Sequence, residues 1–116
     1  MLWWLAALNT AAALVTAGFG VAALARPALF APPGQTPGRF YPAMYAGRAI
    51  PLGIAVAIVV WLPAPDPLPT VLLLGVAALA QVADVATGTV TRQWGLVGGA
   101  TFGAVCHAVG AVALLG

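Results

Sequence analysis

The chain has 116 residues, of which 63% are hydrophobic and 5% charged, and its charges are four Arg and two Asp. An ordinary soluble domain carries about a quarter charged residues, and these cover its surface, so the composition excludes a water-soluble domain and leaves lipid as the solvent. A net charge of +2 without clustering excludes a nucleic-acid binder, which needs a basic patch.

Crossing the hydrocarbon core takes about 20 predominantly apolar residues in a helix. The sequence divides into four such pieces, at about 3–25, 44–62, 70–90 and 96–116. The expected fold is therefore an all-α integral membrane four-helix bundle forming one domain, 1–116. The first segment lacks the positive n-region of a secretory signal, and its apolar run exceeds the roughly 7–15 residues of a signal core. It reads as a retained span, with Asn9, Ala13, Thr16 and Gly20 along one face.

Residues 26–43 follow, rich in Pro and Gly, which disfavour a continuing helix and place this stretch on the membrane surface. In the second span the spacing aligns Tyr41, Tyr45, Arg48, Leu52 and Ala55 on one face. Pro51 removes one helical hydrogen bond there and leaves the carbonyl of Gly47 without its usual donor, which predicts a kink beside Arg48. Residues 63–69 (PAPDPLP) stop the helix. The third span aligns Ala77, Gln81, Asp84 and Gly88, and the short link 91–95 holds the last two spans together. The fourth aligns Gly99, Gly103, His107 and Gly110. Its GxxxG spacing suits close packing of helix backbones, within the chain or in a dimer.

Arg26, Arg39 and Arg92 fall in the first and third connections and none in the second, so the positive-inside rule puts those two connections in the cytoplasm and both termini, with Asp66, outside the cell membrane. Trp3, Trp4, Tyr41, Tyr45, Trp61 and Trp94 sit at or near span ends, where amphipathic rings favour the headgroup layer. Cys106 is the one cysteine, so no disulfide framework exists, no metal-ligand spacing is present and no cofactor is expected. Richness in Ala, Gly, Val and Pro, with Arg but no Lys, points to a GC-rich bacterial genome.

Three ionisable residues lie within the spans: Arg48, Asp84 and His107. A charge at the bilayer centre costs about 2.5–3.5 kcal/mol on insertion scales, so such groups face inward and pair. Arg48 and Asp84 come at similar depth, roughly 6–9 Å from the cytoplasmic edge at 1.5 Å per residue, and His107 lies deeper, near Gln81. In one reading these groups form a polar path. Asp84 and His107 are then the acid/base candidates, Arg48 stabilises negative charge, and Tyr45, Gln81 and Asn9 contact a ligand. In the other, Arg48 and Asp84 neutralise each other as structural glue, or Arg48 snorkels to the interface, and His107 is a hydrogen-bonded packing residue.

Gly47, Arg48, Leu52 and Gly53, followed by Asp84 and His107, resemble a family of small four-helix bacterial membrane proteins of unknown function, DoxX-like in general build. The resemblance covers roughly the last two-thirds of the chain and implies no activity. Length and span count are also similar to those of the small multidrug transporters. That family relies on a Glu in its first span, where this chain has Asn9 and no carboxylate.

The expected function is an intramembrane polar pocket that binds a lipophilic or amphipathic small molecule, with isomerisation or cyclisation as its catalytic version. The alternatives are an accessory or scaffolding membrane subunit and a proton-coupled transporter. Expected partners are membrane lipid, the small molecule, and a second copy or a partner membrane subunit, with no nucleic acid.

Overall fold

The computed structural model describes residues 1–31, 34–35 and 38–116. Its long elements are four helices, α1 (Trp3–Ala25), α2 (Phe40–Val59), α3 (Leu68–Val90) and α4 (Trp94–Leu115), and a 3-10 turn, Pro27–Phe30, follows α1. Each is long and apolar enough to cross a membrane, so the chain is a multi-pass four-helix bundle. Its surface is apolar, unlike that of a soluble protein, and its interior buries polar side chains among the small and hydrophobic ones. Leu79 and Val82 are 71% and 55% exposed, while Asn9 and His107 are 0% and 1% exposed.

Four helix ends differ by two residues or more from the sequence expectation, among them that of α4, which starts at Trp94 rather than near 96. α2 starts four residues earlier, at Phe40, because Pro42 falls in the first turn, where a missing N–H breaks no intrahelical bond. It ends at Val59 rather than near 62. α3 starts at Leu68, two residues early, because Asp66 Oδ1 accepts the Leu68 N–H at 3.0 Å and satisfies a free donor of the first turn. In the stretch read as a surface connection, residues 32, 33, 36 and 37 lie outside the described residues. The described part holds the unexpected 3-10 turn, opened by Pro27 at its first position.

α3 and α4 are joined by a close reversal. The Gln93 N–H donates to the Gly88 carbonyl at 2.8 Å and the Arg92 N–H to that of Thr89 at 3.3 Å, the paired bonds of a Schellman motif. Arg92 occupies the left-handed position at φ 57°, where glycine is the usual residue.

The helices pack as two tight hairpins, α1 with α2 and α3 with α4, joined through α1 and α4, whereas α2 and α3 hardly touch. Small residues set the close approaches. A Cβ at Gly53 would lie 2.6 Å from the Ala13 carbonyl oxygen, one at Gly20 2.7 Å from Ile50, and one at Gly99 2.6 Å from the Phe19 ring. Gly99 and Gly103 thus face inside the chain, onto Phe19 and Gln81, as a packing surface.

The buried face of α2 is Pro42, Ala46, Ala49, Gly53 and Val56. It lies one residue round from the expected Tyr41, Tyr45, Arg48, Leu52 and Ala55 face, of which Tyr41, Arg48 and Ala55 are exposed. Close approach to α1 selects side-chain volume over polarity. The polar face of α2 consequently looks toward the gap beside α3.

Gly53→Ala is therefore expected to destabilise the bundle by about 1–3 kcal/mol, since the clash is with backbone that cannot rotate away. Gly18, where a Cβ meets nothing within 4 Å, is the control. Gly18→Ala should be neutral or slightly stabilising through helix propensity. Thermal unfolding of both variants in one detergent checks the pair, and equal effects would refute the close approach.

Candidate functional site

The gap between α2 and α3 opens at the end of the bundle that carries the first and third connections. It forms a cleft of about 760 Å³ there, within the size range of small-molecule pockets. One wall is α2, with Tyr41, Met44, Tyr45, Gly47 and Arg48, and the facing wall is α3, with Asp84 and Thr87. Thr91, Gln93 and Leu96 line it from the α3–α4 side, and Phe30 and Gln35 from the first connection. Phe30 arrives from the 3-10 turn and packs on Tyr45 with ring centroids 5.2 Å apart. Tyr45 is thus half-buried beneath another ring, unlike Trp3, Trp94 and the other exposed aromatic residues at helix ends.

Arg48 and Asp84 form an ion pair across the cleft. Arg48 Nη2 donates to Asp84 Oδ1, Nη1 reaches the Ala80 carbonyl at 3.4 Å, and the guanidinium carbon lies 5.8 Å from the Tyr45 ring centroid. With α2 starting at Phe40, Arg48 is about 12 Å into its helix and Asp84 about 9 Å from the end of its own at 1.5 Å per residue. The Arg48 side chain is 42% exposed and that of Asp84 8%.

Both groups keep hydrogen-bonding capacity. Among the described residues Asp84 Oδ2 has no partner, and it is not sealed off from the cleft. Three of the five guanidinium N–H groups of Arg48 are similarly free. Gly47 lines the same wall, and Pro51 offers its carbonyl no N–H.

The remaining expected site residues lie elsewhere, in the sealed interior between the hairpins. Gln81 Nε2 donates to Thr16 Oγ1 at 2.8 Å, and that hydroxyl donates to the Ala12 carbonyl at 3.1 Å. Asn9 Nδ2 donates to the Leu5 carbonyl at 3.0 Å, which leaves Asn9 Oδ1 as acceptor for His107 Nδ1 at 2.9 Å. Because Asn9 Oδ1 can only accept, Nδ1 is a ring nitrogen that donates. The neighbouring α4 glycines make the room, because a Cβ at Gly103 would lie 3.0 Å from the Gln81 amide carbon and one at Gly110 2.8 Å from Asn9 Nδ2.

Among the described residues no buried side-chain N or O lacks a partner. The polar groups thus form two sets. Tyr45, Arg48 and Asp84 line the cleft, whereas Asn9, Gln81 and His107 are hydrogen-bonded inside the bundle and line none of it. Among the described residues no group of three His, Cys, Asp or Glu side chains could hold a metal.

The cleft is balanced in charge. A further unit charge 4 Å from either member of the pair would interact by about 4 kcal/mol at an effective dielectric constant of 20, attractively with one member and repulsively with the other. Hydrogen bonding is what the pair still has to offer. In comparisons with known proteins, no family model, no curated protein and no solved structure matches this chain.

Proposed function

We propose that the protein binds a lipophilic or amphipathic small molecule in the cleft between α2 and α3. The observation that carries this reading is a cavity of about 760 Å³ with mostly apolar and aromatic walls and an ion pair whose free donors and acceptor face into it. Pockets of this build, with apolar walls and a few convergent polar groups, suit ligands that are mostly hydrocarbon. Arg48, Asp84 and Tyr45 orient the head of the molecule in this reading. Asp84 Oδ2 is the atom placed to exchange a proton with it. Asn9, Gln81 and His107 serve helix packing.

Gly47 supplies the test. It lines the cleft, and a Cβ there meets nothing within 4 Å, so a large side chain enters the cavity without disturbing the packed interior. Gly47→Phe is expected to keep the thermal stability of the wild type while weakening binding of monooleoylglycerol at least about tenfold, or about 1.4 kcal/mol. Unchanged binding to the purified variant would remove the cleft as the site and favour the accessory-subunit reading.

The same reading places the cleft mouth on the cytoplasmic side of the cell membrane and both termini outside, supported by Arg26, Arg39 and Arg92 in the two connections at that end. Gly38 is exposed with open space around it, which makes it a labelling position. In a Cys106→Ala background, Gly38→Cys should resist a membrane-impermeant thiol reagent in intact cells and react after permeabilisation. Labelling of intact cells would invert the orientation.

A further inference from the structure

The charge balance and free hydrogen-bonding groups of the cleft restrict what its occupant can be. Arg48 and Asp84 are its charged lining residues among those described, one of each sign and already paired. A carboxylate or phosphate head would gain Arg48 but lie beside Asp84. An ammonium head would gain Asp84 but lie beside Arg48. Either ion would also give up water on entering, and the pair would repay only part of that loss. A neutral head avoids both costs and can still use what the pair leaves open. Asp84 Oδ2 awaits a donor, while the free guanidinium N–H groups await an acceptor. Thr87 and Gln93 add neutral hydrogen-bonding groups to the lining, the Thr91 hydroxyl being already bonded to the Thr87 carbonyl and to Gln93 Nε2, and Met44 and Leu96 provide apolar wall for a chain.

We infer that the ligand is an uncharged amphiphile whose head carries a hydroxyl donor close to a carbonyl acceptor on a long hydrocarbon chain, the head chemistry of a monoacylglycerol. The hydroxyl donates to Asp84, and the carbonyl accepts from Arg48. This assignment rests on the binding reading above and adds the chemical class of the molecule.

The test uses four probes that share one acyl chain length: monooleoylglycerol with donor and acceptor, methyl oleate with acceptor only, oleate as anion and oleylamine as cation. The full-length protein is equilibrated in detergent with an equimolar mixture, and bound species are counted by native mass spectrometry. Monooleoylglycerol should exceed each of the others at least tenfold, and Gly47→Phe should abolish the signal. In Asp84→Asn, which leaves Arg48 without its counter-charge, the preference should move at least tenfold toward oleate. In Arg48→Gln it should move equally toward oleylamine. A wild-type preference for either ion, equal occupancy by methyl oleate, or folded charge variants without those shifts would overturn the inference while leaving the cleft as a binding site. Absence of all four probes, or signals indifferent to Gly47→Phe, would overturn the binding reading itself. The wild-type series decides the question even if a charge variant fails to fold.

Discussion

Arg48→Ala is expected to destabilise the bundle more than the double change Arg48→Ala/Asp84→Ala. Asp84 is buried on α3, and Arg48 is its only partner among the described residues, so the single change leaves a carboxylate in low dielectric without a counter-charge. Breaking a fully buried pair in this way costs about 3–5 kcal/mol, whereas removing both partners together costs far less. Arg48 is 42% exposed, and solvent at the cleft screens part of the loss, which brings the expectation down to about 1–3 kcal/mol. The position matters as much as the charge. α2 and α3 hardly touch, and the pair ties the two hairpins across that opening. Thermal unfolding of the two single variants and the double variant in one detergent gives the coupling energy. Strictly additive losses would show that the two side chains are neighbours without being energetically joined.

Much of this arrangement is legible in the sequence because the physics that selects it is local. On α3 and α4 the small and polar residues recur every three or four positions, and Gln81, Asp84, Gly103, His107 and Gly110 all face inward as that spacing requires. α2 defeats the same logic because two adjacent faces both qualify. Ala46, Ala49 and Gly53 are small enough for close packing on α1, and Tyr45 and Arg48 are polar. In lipid the close contact goes to the smaller face. The helix then displays its polar side to the gap, which is a site feature that periodicity reads as core.

Depth along a helix is legible too, but direction around it is set by neighbours. His107 and Gln81 lie at comparable depth, yet the first turns to Asn9 on α1 and the second to Thr16, and neither reaches Asp84 through a hydrogen bond. The cleft is a relation between α2, α3 and the connections at one end, and no single segment encodes it. The 3-10 turn that brings Phe30 onto Tyr45 has no periodic signature either, being too short to show one.

His107→Leu is expected to cost about 1–3 kcal/mol, the penalty for stranding a buried acceptor, since it removes the donor to Asn9 Oδ1 in a region with no access to water. His107→Gln should be milder, because its amide can still donate to that oxygen. The double change Asn9→Leu/His107→Leu should recover most of the single loss, because it removes both members and strands neither. Some loss will persist: Gly110 is shaped around the Asn9 amide, and Leu at position 9 crowds the same space. Binding separates this structural role from a functional one. His107 lines none of the cleft, so monooleoylglycerol binding per folded molecule should be unchanged in both His107→Gln and His107→Leu. A tenfold loss of binding in His107→Gln at wild-type stability would mean that the imidazole acts on the ligand through the helix wall. It would return His107 from the packed interior to the site, next to Asp84.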